Sequence, residues 1–423
     1  MKINFFIFIL FLSINNIAAQ DIEYAKKTIE TLSSKEFAGR GYIDNGVNTA
    51  ADFLAKEFKK NGLQKIGRTY FQEFSYPVNT FPTPTSFSID DKKLVEGQDY
   101  LIVPSSDLCK GKYKIIYFDL DNEMDSVLFE KKIGLGFEND EVLAFKSKKN
   151  GFHFIEKQLL LNAKKPALLI KTVEKKLTYT VSTSKENHCH IETFDSLIKN
   201  GDYIEIQAKS TFEEDFKTKN IIGYISPNKK NKILPNDSFI VFTAHYDHLG
   251  KMGNAIFPGA SDNASGVSML LMLSNYFSKN KLNYPVVFIL FSGEEAGLLG
   301  SNYFVNNPTF DIQKIKLLLN IDIMGSAENG IVVVNGSEYP QYFDKIKSIN
   351  EEKKYTPEVR IRGKAKNSDH YYFSEKNIPA LFIYSNGGPG FYHDVFDKAN
   401  SLTLQNYMQV YQLFIDFANE ISK

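Results

Sequence analysis

The residues of this chain best suited to chemistry are acidic and imidazole side chains gathered into a few short stretches. They are His245-Tyr246-Asp247-His248, Asp262 within Gly259-Ala260-Ser261-Asp262-Asn263-Ala264-Ser265-Gly266, the pair Glu294-Glu295, Asp322, and His393 within Gly390-Phe391-Tyr392-His393-Asp394. Each alone has an ordinary explanation: a carboxylate pair in a solvated loop, an N-cap before a helix, a turn residue after an apolar run. Together they form a set of carboxylate and imidazole donors without cysteine, which suits a borderline-soft cation such as zinc and argues against a closed structural site. Five such side chains exceed the three that usually hold one catalytic zinc, which points to two cations sharing a bridging carboxylate.

The elements that must position these groups are legible as apolar runs. Strands are expected at Phe239 to Ala244, Val286 to Phe291, Ile315 to Ile321, Ile331 to Val334 and Ala380 to Tyr384, and helices at Ala264 to Ser278, Gln341 to Asn350 and Leu402 to Ile421. Their alternation predicts an α/β fold, a three-layer αβα sandwich around a mostly parallel mixed sheet. His245, Glu294-Glu295 and Asp322 then fall just past the carboxyl ends of three strands, where open α/β sheets place their sites. Upstream, Val47, Ala51, Leu54, Ala55 and Phe58 mark an amphipathic helix from Asn45 to Asn61 that ends at Gly62. The prolines 77, 82 and 84 predict a loop over Tyr76 to Ser86 that leaves this domain. Short β-like runs such as Tyr113 to Phe118 and Ala167 to Ile170 alternate with Lys-rich turns beyond it, which predicts an inserted, smaller β-rich domain over 85–219 between peptidase-type segments 20–84 and 220–423.

In order, Ala244 to Gly250, Gly259 to Gly266, Ser292 to Ser301, Asn320 to Gly325, Ser368-Asp369-His370 and Tyr392-His393 resemble the successive motifs of the co-catalytic dizinc aminopeptidase family, clan MH, which also includes glutamate carboxypeptidases. Leu32 to Gly41 resembles the family's opening. The resemblance implies that His245 and Asp322 hold one zinc, Glu295 and His393 the other, and that Asp262 bridges them. It also implies a cis peptide between Asp262 and Asn263, Glu294 as general base and His370 on the substrate side. The residue chemistry agrees: Glu294 lies beside a ligand without being one, Asp247 is placed to accept the other ring N–H of His245, and Tyr392 reads equally as a donor to the oxyanion or as a packed aromatic. His248 reads as loop packing or an exposed side chain. Where the family often has Thr-Pro after the last histidine, this chain has Asp394-Val395, while Asp397 keeps the carboxylate that follows. The insertion resembles, more distantly, a protease-associated domain, whose role is to cover or shape the substrate cleft.

Composition narrows the partners. Fifty Lys and Arg balance fifty Asp and Glu, so no basic field invites nucleic acid. Met1 to Gln20 has the basic start, apolar centre and small Ala18-Ala19 of a signal peptide, too short to span a bilayer, so a secreted or periplasmic protein without a membrane anchor after cleavage is expected. Cys109 and Cys189 fit either one disulfide in an oxidising compartment or two buried thiols. The expected activity is zinc-dependent release of N-terminal residues from peptides. Three rivals remain: a carboxypeptidase acting on acidic residues, a glutaminyl cyclase-like acyl transferase with one zinc, and a non-catalytic binding ectodomain. Arg occurs only at positions 40, 68, 360 and 362, a poor supply for bidentate grip on a carboxylate, so neutral N-terminal residues are expected to be preferred. Oligomeric state leaves no mark in the sequence.

Overall fold

The computed structural model describes residues 21–149, 151–159, 164–227 and 237–423. The processing segment expected at 1–19 lies outside them. A nine-stranded mixed sheet organises the larger part of the chain, and its centre is four parallel strands in the order Val286–Phe291, Phe239–His245, Ile315–Asp322, Ala380–Ser385. The flanking strands Thr211–Ile225 and Ile331–Val334 run antiparallel to this centre. Almost every residue of the central strands is buried, because helices cover both faces and nothing selects for alternation. Ile240, Phe242 and Ala244 pack on one face with Leu54 and Phe58 of the helix Gly46–Lys60, Leu270 and Phe277 of Gly266–Lys279, and Phe414 of Tyr407–Ser422. Phe239 and Val241 pack on the other with Phe304 of Leu299–Asn306 and Phe373 of His370–Glu375. This is the three-layer αβα sandwich read from the sequence.

The expected loop at Tyr76 to Ser86 is in part a strand. Phe71–Thr80 pairs antiparallel with Thr211–Ile225, and Pro77 sits opposite the irregularity between Glu213 and Phe216, where a missing N–H breaks no ladder bond. A second sheet of eight strands lies between Ser86 and Ala208. The long strand Thr211–Ile225 belongs to the large sheet, so the chain changes sheets near Ser210 rather than at 219. The centre of the second sheet is also parallel, Cys109–Asp119, Glu141–Lys146, Leu169–Val173 and His190–Phe194. Parallel neighbours need crossovers, and the helices Glu123–Leu135 and Phe152–Leu159 supply two of them. The sequence reading missed both helices; the first buries only Phe129 and has no continuous apolar stripe to betray it. Cys109 and Cys189 are joined in a disulfide across 80 residues of sequence. The core of this sheet includes Leu249, Met252, Phe257 and Val395, so the second sheet rests directly on the loops that carry the candidate site residues.

Candidate active site

His245 is the last residue of its strand and points its imidazole across the strand ends. Its Nε2 lies 3.2 Å from Oδ1 of Asp322, the last residue of the adjacent strand, and 3.3 Å from Oδ1 of Asp262. Its Nδ1 lies 3.2 Å from the backbone oxygen of Asp247, which can only accept, so the ring proton sits on Nδ1 and Nε2 faces inward. The carboxylate of Asp247 is 3.8 Å away and does not take that bond. It accepts instead from the backbone N–H groups of Glu294 and Glu295, at 3.2 and 3.3 Å. The expected partner of the His245 ring is therefore Asp247 by its main chain, and the side chain orients the Glu294-Glu295 turn.

Asp262 follows a turn that Arg40 and Asp397 tie together. The Arg40 guanidinium, fully buried, donates to the backbone oxygens of Leu32, Tyr246, Pro258, Gly259 and Asp262 at 2.7–3.2 Å. Asp397 accepts from the backbone N–H of Ser261 and Asp262, at 2.9 and 3.1 Å. The Asp262–Asn263 peptide is cis. Asn263 then ties the turn to the next strand end, donating to the Ile321 oxygen at 3.0 Å and accepting from Gly266 and Ile323. Gly266 has to be glycine, since a Cβ there would stand 2.2 Å from the Asn263 amide oxygen and 2.8 Å from the Ile321 oxygen.

The second half of the site gathers around Oδ2 of the same Asp262. His393 Nε2 lies 3.3 Å from that oxygen and 3.0 Å from Oε2 of Glu295. Its Nδ1 donates to the backbone oxygen of Tyr179 at 2.9 Å, and the Tyr179 N–H donates back to the His393 oxygen at 3.1 Å. Tyr179 comes from the segment that carries the second sheet. In the same segment Lys176 donates to the backbone oxygens of Gly390 and Tyr392. Val395 packs into the second sheet's core and Asp394 accepts from the Phe396 N–H, so Asp394-Val395 holds the loop where the family often has Thr-Pro.

Burial governs the protonation of these groups. It would lower both imidazoles, yet Asp322 and Glu294 push His245 well up, and Glu295 and Asp262 push His393 up to about 11. Burial raises the Glu294 carboxyl well above the carboxylate range, with Glu295, Asp369 and Asp322 adding to it. Burial also lifts Asp247 and Asp369 to about 7. So many carboxylates in one buried place demand positive charge. His245, Glu294 and Asp322 form one cluster, and His245, Asp262 and Glu295 another, whose donor atoms all lie within 4.8 Å of one another. His393 Nε2 is buried with no hydrogen-bond partner, as expected of a nitrogen that donates its lone pair elsewhere. Donor chemistry and geometry therefore fit cations held between these groups.

The remaining expectations land differently. Tyr392 is 49% exposed and stacks on His393 at 3.7 Å between ring centroids. His248 is neither loop filler nor exposed: it is fully buried and its Nδ1 lies 2.6 Å from Glu295 Oε1. His370 is fully buried, its ring 5.3 Å from that of Phe382. A buried chain from Thr243 through Asn320 and Ser368 to Asp322 braces that carboxylate from behind. Polar residues inside the strands, Thr243 and Asn320, were the sequence signal for it.

An αβα sandwich with acidic and imidazole groups converging at its parallel strand ends is an arrangement suited to a metal-dependent hydrolase. The chain matches the model of peptidase family M28 over residues 220–418, somewhat under half of its length, and over that stretch it is similar to that family of peptide hydrolases. It is 26% identical over 315 residues to a probable leucine aminopeptidase of Arthroderma otae, covering 69% of this chain and 82% of that protein. Aminopeptidase Y of Saccharomyces cerevisiae is 31% identical over 153 residues, 36% of this chain and 26% of its own length. The fold is shared with BSAP, a zinc aminopeptidase from Bacillus subtilis, at a TM-score of 0.71 and 17% identity over 95% of both chains. It is shared as well with an aminopeptidase from Aneurinibacillus sp. strain AM-1, at 0.66 and 18% over 95% and 93%.

Proposed function

We propose that this chain is a secreted or periplasmic dizinc aminopeptidase. The observation that carries the reading is Asp262, whose two oxygens face two different imidazole nitrogens, His245 through Oδ1 and His393 through Oδ2. His245 and Asp322 would hold one zinc, Glu295 and His393 the other, with Asp262 shared. Bound there, zinc supplies Lewis acidity toward the scissile carbonyl and lowers the pKa of a water. Glu294 takes the proton of the attacking water and returns it to the leaving amine, and a carboxyl raised by burial suits both halves of that transfer. Asp247 holds Glu294 in place through the backbone. The Tyr392 phenol, protonated at neutral pH, donates to the oxyanion.

The same reading divides the chain into a peptidase domain and an insertion, expected over 85–219 and ending near Ser210 by its sheet, whose parallel strands brace the His393 loop. Among the described residues no helix is long and apolar enough to cross a membrane. Against an acidic-residue carboxypeptidase stands the arginine supply: Arg40 is consumed by backbone oxygens, and Arg68, Arg360 and Arg362 are exposed, with Arg360 paired to Glu358. Neutral N-terminal residues are released faster than Asp or Glu on this account. A one-zinc acyl transferase and a non-catalytic ectodomain are both disfavoured by an intact five-residue set with Glu294 beside it. The test is product analysis on a peptide and its N-acetylated twin. Stepwise release from the free N-terminus only, abolished by a chelator, supports the reading; release from the C-terminus or from the blocked peptide refutes it.

A further inference from the structure

Three of the chain's seven histidines, His153, His188 and His190, lie in the insertion, and none is used by the candidate active site. His153 and Glu156 stand one turn apart on the helix Phe152–Leu159, while Glu186, His188 and His190 lie on the chain that enters the strand His190–Phe194. His153, Glu156, Glu186 and His188 line one open groove. His190 lies beside it, 2% exposed, lining with Glu156 and His188 a smaller adjoining pocket, and its ring stacks on Phe152 at 4.5 Å and 9°. Its backbone N–H donates to Ser106 and its oxygen accepts from Val103, which fixes the main chain that carries the ring.

His190 Nε2 lies 3.0 Å from Glu156 Oε1, but this is not a hydrogen bond: the oxygen lies off the ring N–H direction, and the buried nitrogen has no hydrogen-bond partner. Donor atoms at that spacing without a proton between them are what two ligands of one cation look like, since bonds of about 2.0–2.2 Å at tetrahedral angles separate ligands by a little over 3 Å. One donor atom each from Glu156, Glu186 and His190 lies within 4.8 Å of the other two; Glu186 Oε2 is 3.8 Å from His190 Nδ1, so this exposed side chain turns toward Nε2 to share a cation with Glu156.

We propose that Glu156, Glu186 and His190 form a third divalent-cation site, of zinc type, completed by the exposed imidazole of His188 or His153. Mixed imidazole and carboxylate donors suit zinc better than calcium or magnesium. The site is structural: it clips the crossover helix to the strand next to the Cys109–Cys189 bridge.

The test is zinc content of the full chain and of Glu156→Gln/Glu186→Gln, both dialysed against about 10 μM zinc. These carboxylates are partly exposed and the amides nearly isosteric, so the variant keeps its fold and its peptidase turnover. The expected result is one zinc equivalent fewer per chain in the variant, whatever number the active centre holds. Equal content, or a difference seen only at millimolar zinc, overturns the proposal. Should the variant fold poorly, anomalous scattering at the zinc edge from crystals of the unaltered chain decides it: a peak between His190 and Glu156 supports the site, and its absence overturns it.

Discussion

At the scale of single residues the sequence was most explicit where chemistry restricts the choice. His245, Asp262, Glu294, Glu295, Asp322 and His393 were legible because nothing else explains so many ionisable groups beside apolar strands, and the structure brings all of them to one place. Roles that depend on main-chain geometry were not legible: that Asp247 meets His245 by its carbonyl, or that Tyr179 caps His393, has no signature in residue type. His370 is the opposite case, a motif position whose side chain is buried against an aromatic neighbour. Burial holds its imidazole down at about 3 against an ordinary 6.5, so the unfolded chain binds the extra proton and stability falls as pH drops below 6.5. Between pH 7 and 5 the metal-free protein should lose roughly 2 kcal/mol that His370→Gln does not lose, measured by urea unfolding at the two pH values. Equal losses would mean that His370 is already charged in the folded state.

Among the elements, the central strands and the helices beside them were readable to within a few residues, since fully buried runs and amphipathic stripes have distinct periods. What failed was an edge: Pro77 predicts a loop, and the strand survives because the proline falls at an irregularity of the ladder. The segment around Lys176 and Tyr179 was invisible for a related reason, as its function lies in two backbone contacts and one lysine reaching the carbonyls of Gly390 and Tyr392. Lys176→Met should release that loop and let His393 reorient. Lys176 holds the main chain before His393 and not its ring, so the effect should sit at the low end of the about 10–100-fold that an outer contact to a metal-binding imidazole is worth: kcat/KM should fall by about tenfold, with weaker zinc retention under dialysis. Unchanged kcat/KM and zinc retention would confine Lys176 to surface packing.

For the whole molecule, the two sheets are one working unit, because the second sheet's core includes Phe257 and Val395 from loops beside Asp262 and His393. The disulfide closes 80 residues of that insertion, and Cys109→Ser/Cys189→Ser should cost about 2–4 kcal/mol and lower the thermal midpoint; an unchanged midpoint would mean the insertion is held by packing alone. The charge balance and the sparse arginines left their mark on partner class and substrate preference, whereas the arrangement of the insertion over the site could not be read, since it depends on contacts between segments far apart in sequence. The central claim is that the gathered carboxylates divide their labour, with Glu294 moving protons and its neighbours holding cations. It is tested most directly by kcat/KM of Glu294→Gln on a leucyl substrate, with zinc content measured on the same preparation. The account predicts a fall of about 10²–10⁴-fold at unchanged zinc content; activity equal to that of the parent would contradict it.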